Sequence, residues 1–197
     1  MNLPTKLTLF RIFLVPVIIL ILIFPFGQFN IVLPLIQFGN VLIPLQNLIV
    51  LAIFVLAMFT DFLDGFIARR QAAITTLGKF LDPIADKLLV NTLLVVLAYQ
   101  GGIKLVPVLV MLWRDILVDG LRMVASEKNF VMAAGVLGKL KTVIQTIAII
   151  LALLNNAPFE QLQIPMTTFF VWFAMLISIF SGVSYFMQVK SLVFDNK

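Results

Sequence analysis

Six stretches of this chain are apolar and long enough to cross a bilayer, a length of about 20 residues. They lie near 7–26, 46–69, 77–99, 105–126, 135–155 and 164–189. Few folds can accommodate such a sequence. Of 197 residues, 62% are hydrophobic and only 12% charged, more apolar surface than a water-soluble core of this size could enclose. The pattern predicts an all-α fold, a polytopic membrane protein with six transmembrane helices solvated by lipid. Residues 1–197 then read as one integral membrane domain, with no room for a separate soluble one. The first stretch lacks a small-residue cleavage site and reads as a retained span. Residues 27–45 carry no charge but hold Pro34 and Pro44. They read as an outer loop that dips into the interface.

The charges sort to one side of this arrangement. Of 14 Lys and Arg, only Lys104 falls on the side opposite the termini; of nine acidic residues, only Glu160 does. The bias of basic residues toward the cytoplasm predicts that both termini and the charged half of the bundle face inward, in a cell (inner or plasma) membrane. A net charge of +5 is therefore no nucleic-acid signal. Basic residues at that depth meet lipid head groups or phosphate-bearing substrates. Surface anchoring accounts for Lys6, Arg70, Lys128, Lys190 and Lys197, but not for charges inside the spans. The absence of cysteine and histidine excludes disulfides, Cys/His zinc sites, His-ligated haem and histidine-dependent nucleophiles. Acid–base or metal chemistry falls to carboxylates, lysines or water.

Four of those carboxylates are Asp61, Asp64, Asp82 and Asp86. At 100° per residue, Asp61, Asp64, Gly65 and Ala68 share a helix face about 100° wide, and Gly78, Asp82 and Asp86 form a second stripe. A short loop joins the two helices, so they run antiparallel and the four acids can meet at one depth. Clustered anions there cost several kcal/mol unless compensated. Two divalent cations, Mg²⁺ or Mn²⁺, would compensate them, since hard ions take oxygen ligands and paired ions suit phosphoryl chemistry. The plainer alternative pairs each Asp with Arg69, Lys79 or Lys87. Gly65, Ala68 and Gly78 either admit a ligand close to the backbone or serve close helix packing.

Together these residues read Asp-x-x-Asp-Gly-x-x-Ala-Arg, eight residues, then Gly-x-x-x-Asp-x-x-x-Asp. The pattern, from Asp61 to Asp86 without deviation, resembles the signature of the CDP-alcohol phosphotransferase family. The resemblance implies six membrane helices, a site open to the cytoplasm and a homodimer. It implies that Asp61, Asp64, Asp82 and Asp86 hold two metals and that Asp86 is the general base. Gly65, Ala68 and Arg69 would hold the CDP part of a CDP-diacylglycerol donor, with Gly78 giving it room.

Within the family, the likeness is greatest to members whose acceptor is sn-glycerol 3-phosphate. It extends over Pro4, Thr5, Leu7, Thr8 and Arg11, over Asp82-Pro83-x-Ala85-Asp86-Lys87, over Arg114 to Arg122, and over Gly138-Lys139-x-Lys141-Thr142-x-x-Gln145. Two departures stand out: Thr5 replaces a common Asn, and Asp115 replaces an expected Glu. Physics points the same way. Arg114 and Arg122 lie about 80° apart on one helix, and guanidinium groups suit a phosphate. Asp115, Asp119 and Arg122 share a stripe, so one internal ion pair is expected there, leaving Arg114 spare. Lys139 and Lys141 lie about 200° apart, so one is expected at the phosphate and the other at the surface. The resemblance adds Arg11 to this acceptor group. The same scaffold could serve inositol phosphate, serine or phosphatidylglycerol as acceptor. A divalent-cation transporter would need polar groups continuing to the far side, where the spans are apolar.

Overall fold

The computed structural model describes residues 3–71, 76–128, 130, 132 and 135–194. Within its helices, the side chains of residues 3, 4, 62–71, 76–80, 82, 158 and 191–194 fall outside the described set. Six long helices coincide with the six apolar stretches to within a few residues: α1 (Leu3–Ile23), α2 (Leu45–Gln71), α3 (Thr76–Tyr99), α4 (Leu105–Glu127), α5 (Val136–Leu153) and α7 (Met166–Phe194). A single turn, α6 (Ala157–Glu160), precedes the last.

Among the described residues, three segments are long and apolar enough to cross a membrane: Thr5–Ile23 of α1, Val136–Leu153 of α5 and Met166–Lys190 of α7. In α2 the described apolar run is Leu45–Asp61. The charged residues that the sequence singles out in α2, α3 and α4 lie toward the same end of the bundle.

The loop expected over 27–45 is more ordered than its prolines suggest, and the chain is not purely helical. A 3₁₀ turn, Phe26–Phe29, leads to a hairpin of β1 (Leu35–Phe38) and β2 (Val41–Pro44), paired antiparallel with Phe38 opposite Val41 and Leu35 opposite Pro44. Gly39 turns the corner at φ 60°, a conformation costly for residues with a Cβ. Pro44 ends the hairpin, where its missing N–H breaks no ladder, and α2 begins at the next residue.

α1 packs against α2 and α3, α5 against α2, α3 and α7, and α4 against α7 and, less extensively, α3. Val50 and Phe54 of α2, Leu93 and Leu97 of α3, Met111 of α4 and Ile149 of α5 are buried in the common core. Phe13, Trp113, Ile116, Leu117, Val143 and Phe180 point outward and are exposed, the surface expected where lipid is the solvent. Because the chain runs up and down, the start of α1, the end of α2, the start of α3, the second half of α4, the start of α5 and the second half of α7 share one end of the bundle.

At the other end, the α5–α7 connection is tied by Asn156. It adopts φ 57°, its Nδ2 donates to the Ile164 carbonyl at 2.9 Å, and its Oδ1 accepts the Thr167 N–H at 3.2 Å in the first turn of α7. Asn is among the residues that tolerate this left-handed backbone. Asn156→Ala is expected to destabilise the protein by about 1–3 kcal/mol through the lost cap and the strained φ. Asn156→Gly, which relieves the strain, should lose less. Thermal unfolding in detergent orders the three proteins.

Candidate active site

The polar end of the bundle encloses a cavity of about 290 Å³. Arg11 of α1, Asp61 of α2, Asp86 and Lys87 of α3, Arg114, Asp115, Asp119 and Arg122 of α4, Lys139 and Lys141 of α5 and Tyr185 of α7 line it. Residues far apart in the chain thus meet in one place, with six basic and four acidic side chains among the described lining.

On one wall, Arg11 is 1% exposed and its Nη1 forms ion pairs with both Asp61 and Asp86. The two carboxylates, from different helices, share one nitrogen. Arg11 also lines the cavity shared with the cations grouped with it in the sequence. α1 packs on both α2 and α3, so the Arg11 side chain reaches a carboxylate of each. Among the alternative partners named for the aspartates, Lys87 instead pairs with Asp119 of α4. Asp64 and Asp82 lie one turn from Asp61 and Asp86 on the described backbone of α2 and α3. Their side chains, with those of Gly65, Ala68, Arg69 and Gly78, lie outside the described residues. Among the described residues no three acidic side chains gather around one point. Two hard oxygen donors already converging on a single cation nonetheless fit a divalent ion, and Asp64 and Asp82 occupy the helix positions that would complete its ligands.

The opposite wall is cationic. Asp115 is buried and its Oδ1 accepts from Lys141 Nζ and from Arg114 Nη1, the latter at 3.0 Å. Contrary to the helix-stripe argument, Arg114 is not spare. Its Nε donates to the Ser178 carbonyl at 3.1 Å and its Nη2 to Ser181 Oγ at 2.5 Å. Nor does Arg122 pair within α4; its Nη2 donates to Tyr185 Oη at 3.0 Å. The reason lies in packing: α4 rests on α7, and the arginines reach across that contact instead of along their own helix. Lys141 is buried and Lys139 exposed, yet both line the cavity. The start of α5 opens onto it as well. Gly135 precedes the helix with no side-chain cap, so the first N–H groups add partial positive charge.

Sequence reasoning missed the contribution of α7. Ser178, Ser181 and Tyr185, at i, i+3 and i+7, form a buried polar stripe on the longest of the helices. That periodic interruption is a signal legible in the sequence.

A CDP-alcohol phosphatidyltransferase pattern matches residues 1–180, and the chain belongs to that family. Over 187 residues it is 39% identical to the CDP-diacylglycerol–glycerol-3-phosphate 3-phosphatidyltransferase of Bacillus subtilis (strain 168), covering 95% of this chain and 94% of that protein. Enzymes of the same name from Rickettsia bellii (strain RML369-C) and Rickettsia typhi (strain ATCC VR-144 / Wilmington) are each 34% identical. The matches cover 96% of this chain and 96% and 98% of those proteins.

Removing the Asp115 carboxylate would leave Arg114 and Lys141 with no counter-charge at that point. Asp115→Asn is expected to destabilise the protein by about 3–5 kcal/mol, the cost typical of breaking a buried ion pair on one side. Its midpoint of thermal unfolding should fall well below that of an exposed control such as Glu160→Gln.

Proposed function

We propose that this protein transfers the phosphatidyl group of CDP-diacylglycerol to sn-glycerol 3-phosphate, yielding phosphatidylglycerophosphate and CMP. The observation that carries this reading is a single cavity lined both by the signature carboxylates Asp61 and Asp86 and by the cations Arg114, Arg122, Lys139 and Lys141. A phosphate on the acceptor fits the cationic wall, which leaves its hydroxyl free to face the carboxylates. The relatives named for this reaction span nearly the whole chain.

Asp61, Asp64, Asp82 and Asp86 would hold two divalent cations, Mg²⁺ or Mn²⁺. When bound, these supply charge stabilisation for the pyrophosphate and for the departing CMP. Gly65, Ala68, Arg69 and Gly78 would hold and make room for the CDP moiety. Asp86 takes the proton of the acceptor hydroxyl as that oxygen bonds to the lipid-side phosphorus. The bond from this phosphorus to the CMP oxygen breaks, and the electron pair leaves with CMP. Arg114, Arg122, Lys139 and Lys141 hold the acceptor phosphate so that its hydroxyl lies in line with the bond that breaks.

In this reading α1 to α5 and α7 form six spans of one catalytic domain, multi-pass in the plasma membrane, with termini and cavity cytoplasmic. The diacyl tails stay in lipid throughout. A homodimer is the assembly that the family likeness implies.

Purified protein given CDP-diacylglycerol and labelled glycerol 3-phosphate should incorporate label and release CMP. Asp86→Asn should lower the rate by at least about 10²-fold, the contribution typical of a general base. Chelation should abolish the reaction, and Mg²⁺ or Mn²⁺ should restore it. Incorporation unchanged by Asp86→Asn refutes the role of the motif. In an acceptor panel, CMP release with serine or inositol phosphate but not glycerol 3-phosphate refutes the acceptor.

A further inference from the structure

We propose that Tyr185 is a ligand of the acceptor phosphate, donating its hydroxyl hydrogen to a phosphate oxygen. The proposal rests on the reading of the cationic wall given above and adds to it a neutral donor from the last helix.

The argument begins with hydrogen-bond directions. Tyr185 Oη receives the Gly135 N–H at 3.2 Å and an Arg122 Nη2–H at 3.0 Å. Both partners can only donate, so both bonds use the oxygen as acceptor and neither can take its hydrogen. Among the described residues no acceptor for that hydrogen is found. Tyr185 is 3% exposed, so bulk water is a poor substitute. A buried phenol that accepts twice and donates to nothing leaves a hydrogen-bonding need unmet.

Its surroundings define what would meet that need. The Arg114 and Arg122 guanidinium carbons lie 5.5 and 5.1 Å from the ring centroid, so both cations rest against the aromatic ring. Two incoming N–H bonds withdraw electron density from the oxygen and make its O–H a stronger donor. The missing partner is therefore an acceptor, and one that is favoured beside several cations. A phosphate oxygen meets both conditions; a neutral hydroxyl meets only the first.

A second observation concerns space. A Cβ added to Gly138 would lie 3.4 Å from Tyr185 Oη and 3.8 Å from Ser181 Oγ. The absent side chain of Gly138, in the first turn of α5, keeps the approach to this hydroxyl open. Gly138, Lys139, Lys141 and Tyr185 all line the same cavity. An anion there would meet the tyrosine hydroxyl, the lysines and the uncapped start of α5 together.

Steady-state kinetics of the full-length protein in detergent micelles test the assignment. In Tyr185→Phe, the KM for glycerol 3-phosphate should rise roughly ten-fold, as for one lost hydrogen bond to a charged group. The KM for CDP-diacylglycerol should stay as in wild type and kcat should change less than three-fold. Gly138→Ala keeps the tyrosine and its two bonds but fills the approach. It should raise the same KM, and it decides the matter if Tyr185→Phe does not fold. An active wild type, with both variants holding the wild-type KM for glycerol 3-phosphate, overturns the proposal alone. A loss confined to kcat or thermal stability does the same, because it marks a purely structural tyrosine. A wild type that releases no CMP with any phosphorylated acceptor overturns the parent reading of the cationic wall, and this assignment with it.

Discussion

One guanidinium, that of Arg11, sits between carboxylates from two other helices and is almost wholly buried. A lone charge in apolar surroundings is so costly that it is paired or not present. Arg11 must therefore keep α1 against both Asp61 of α2 and Asp86 of α3. This fixes the relative depth of three helices and holds the two signature acids close together. The carboxylate wall is thus a condition of stability before it is a device for chemistry.

The same rule organises the other wall. Asp115 serves Lys141 and Arg114, Asp119 serves Lys87, and Ser178, Ser181 and Tyr185 of α7 each accept one guanidinium hydrogen bond. Apart from Arg114 with Asp115, each link joins two helices, so the polar network does work that apolar contacts cannot do in lipid, where burying a leucine brings little gain. Gly182 shows how closely the network is fitted. A Cβ there would lie 3.0 Å from Arg114 Cγ, so the arginine stem lies directly against the α7 backbone.

Much of this was legible in the sequence. Apolar runs marked all six long helices, and charge asymmetry marked the end of the bundle where the polar residues meet. The spacing of Asp61 and Asp86 placed them on facing stripes. What escaped was the identity of partners. Helix angles relate residues on one helix, so they suggested Arg122 with Asp115 or Asp119. The actual partner, Tyr185, belongs to a helix more than sixty residues away. The ion pairs of Arg11 escaped for a similar reason, since no pattern within α1 reveals which neighbours it packs on. The β1–β2 hairpin hid behind two prolines, although one of them merely closes it. The side chains of Asp64 and Asp82 stay with the expectation drawn from their spacing.

The bonds from Arg114 to α7 carry an implication for biogenesis. Its partners Ser178 and Ser181 follow 64 and 67 residues later, and Lys141, which shares its carboxylate, arrives 26 residues after Asp115. While the ribosome is still making α5, the arginine has Asp115 beside it but neither of its acceptors on α7. The nascent intermediate therefore holds unsatisfied polar groups that the last helix must resolve. Truncation within that final segment would remove more than a membrane anchor: it would leave the half-built pocket without the side chains that complete it.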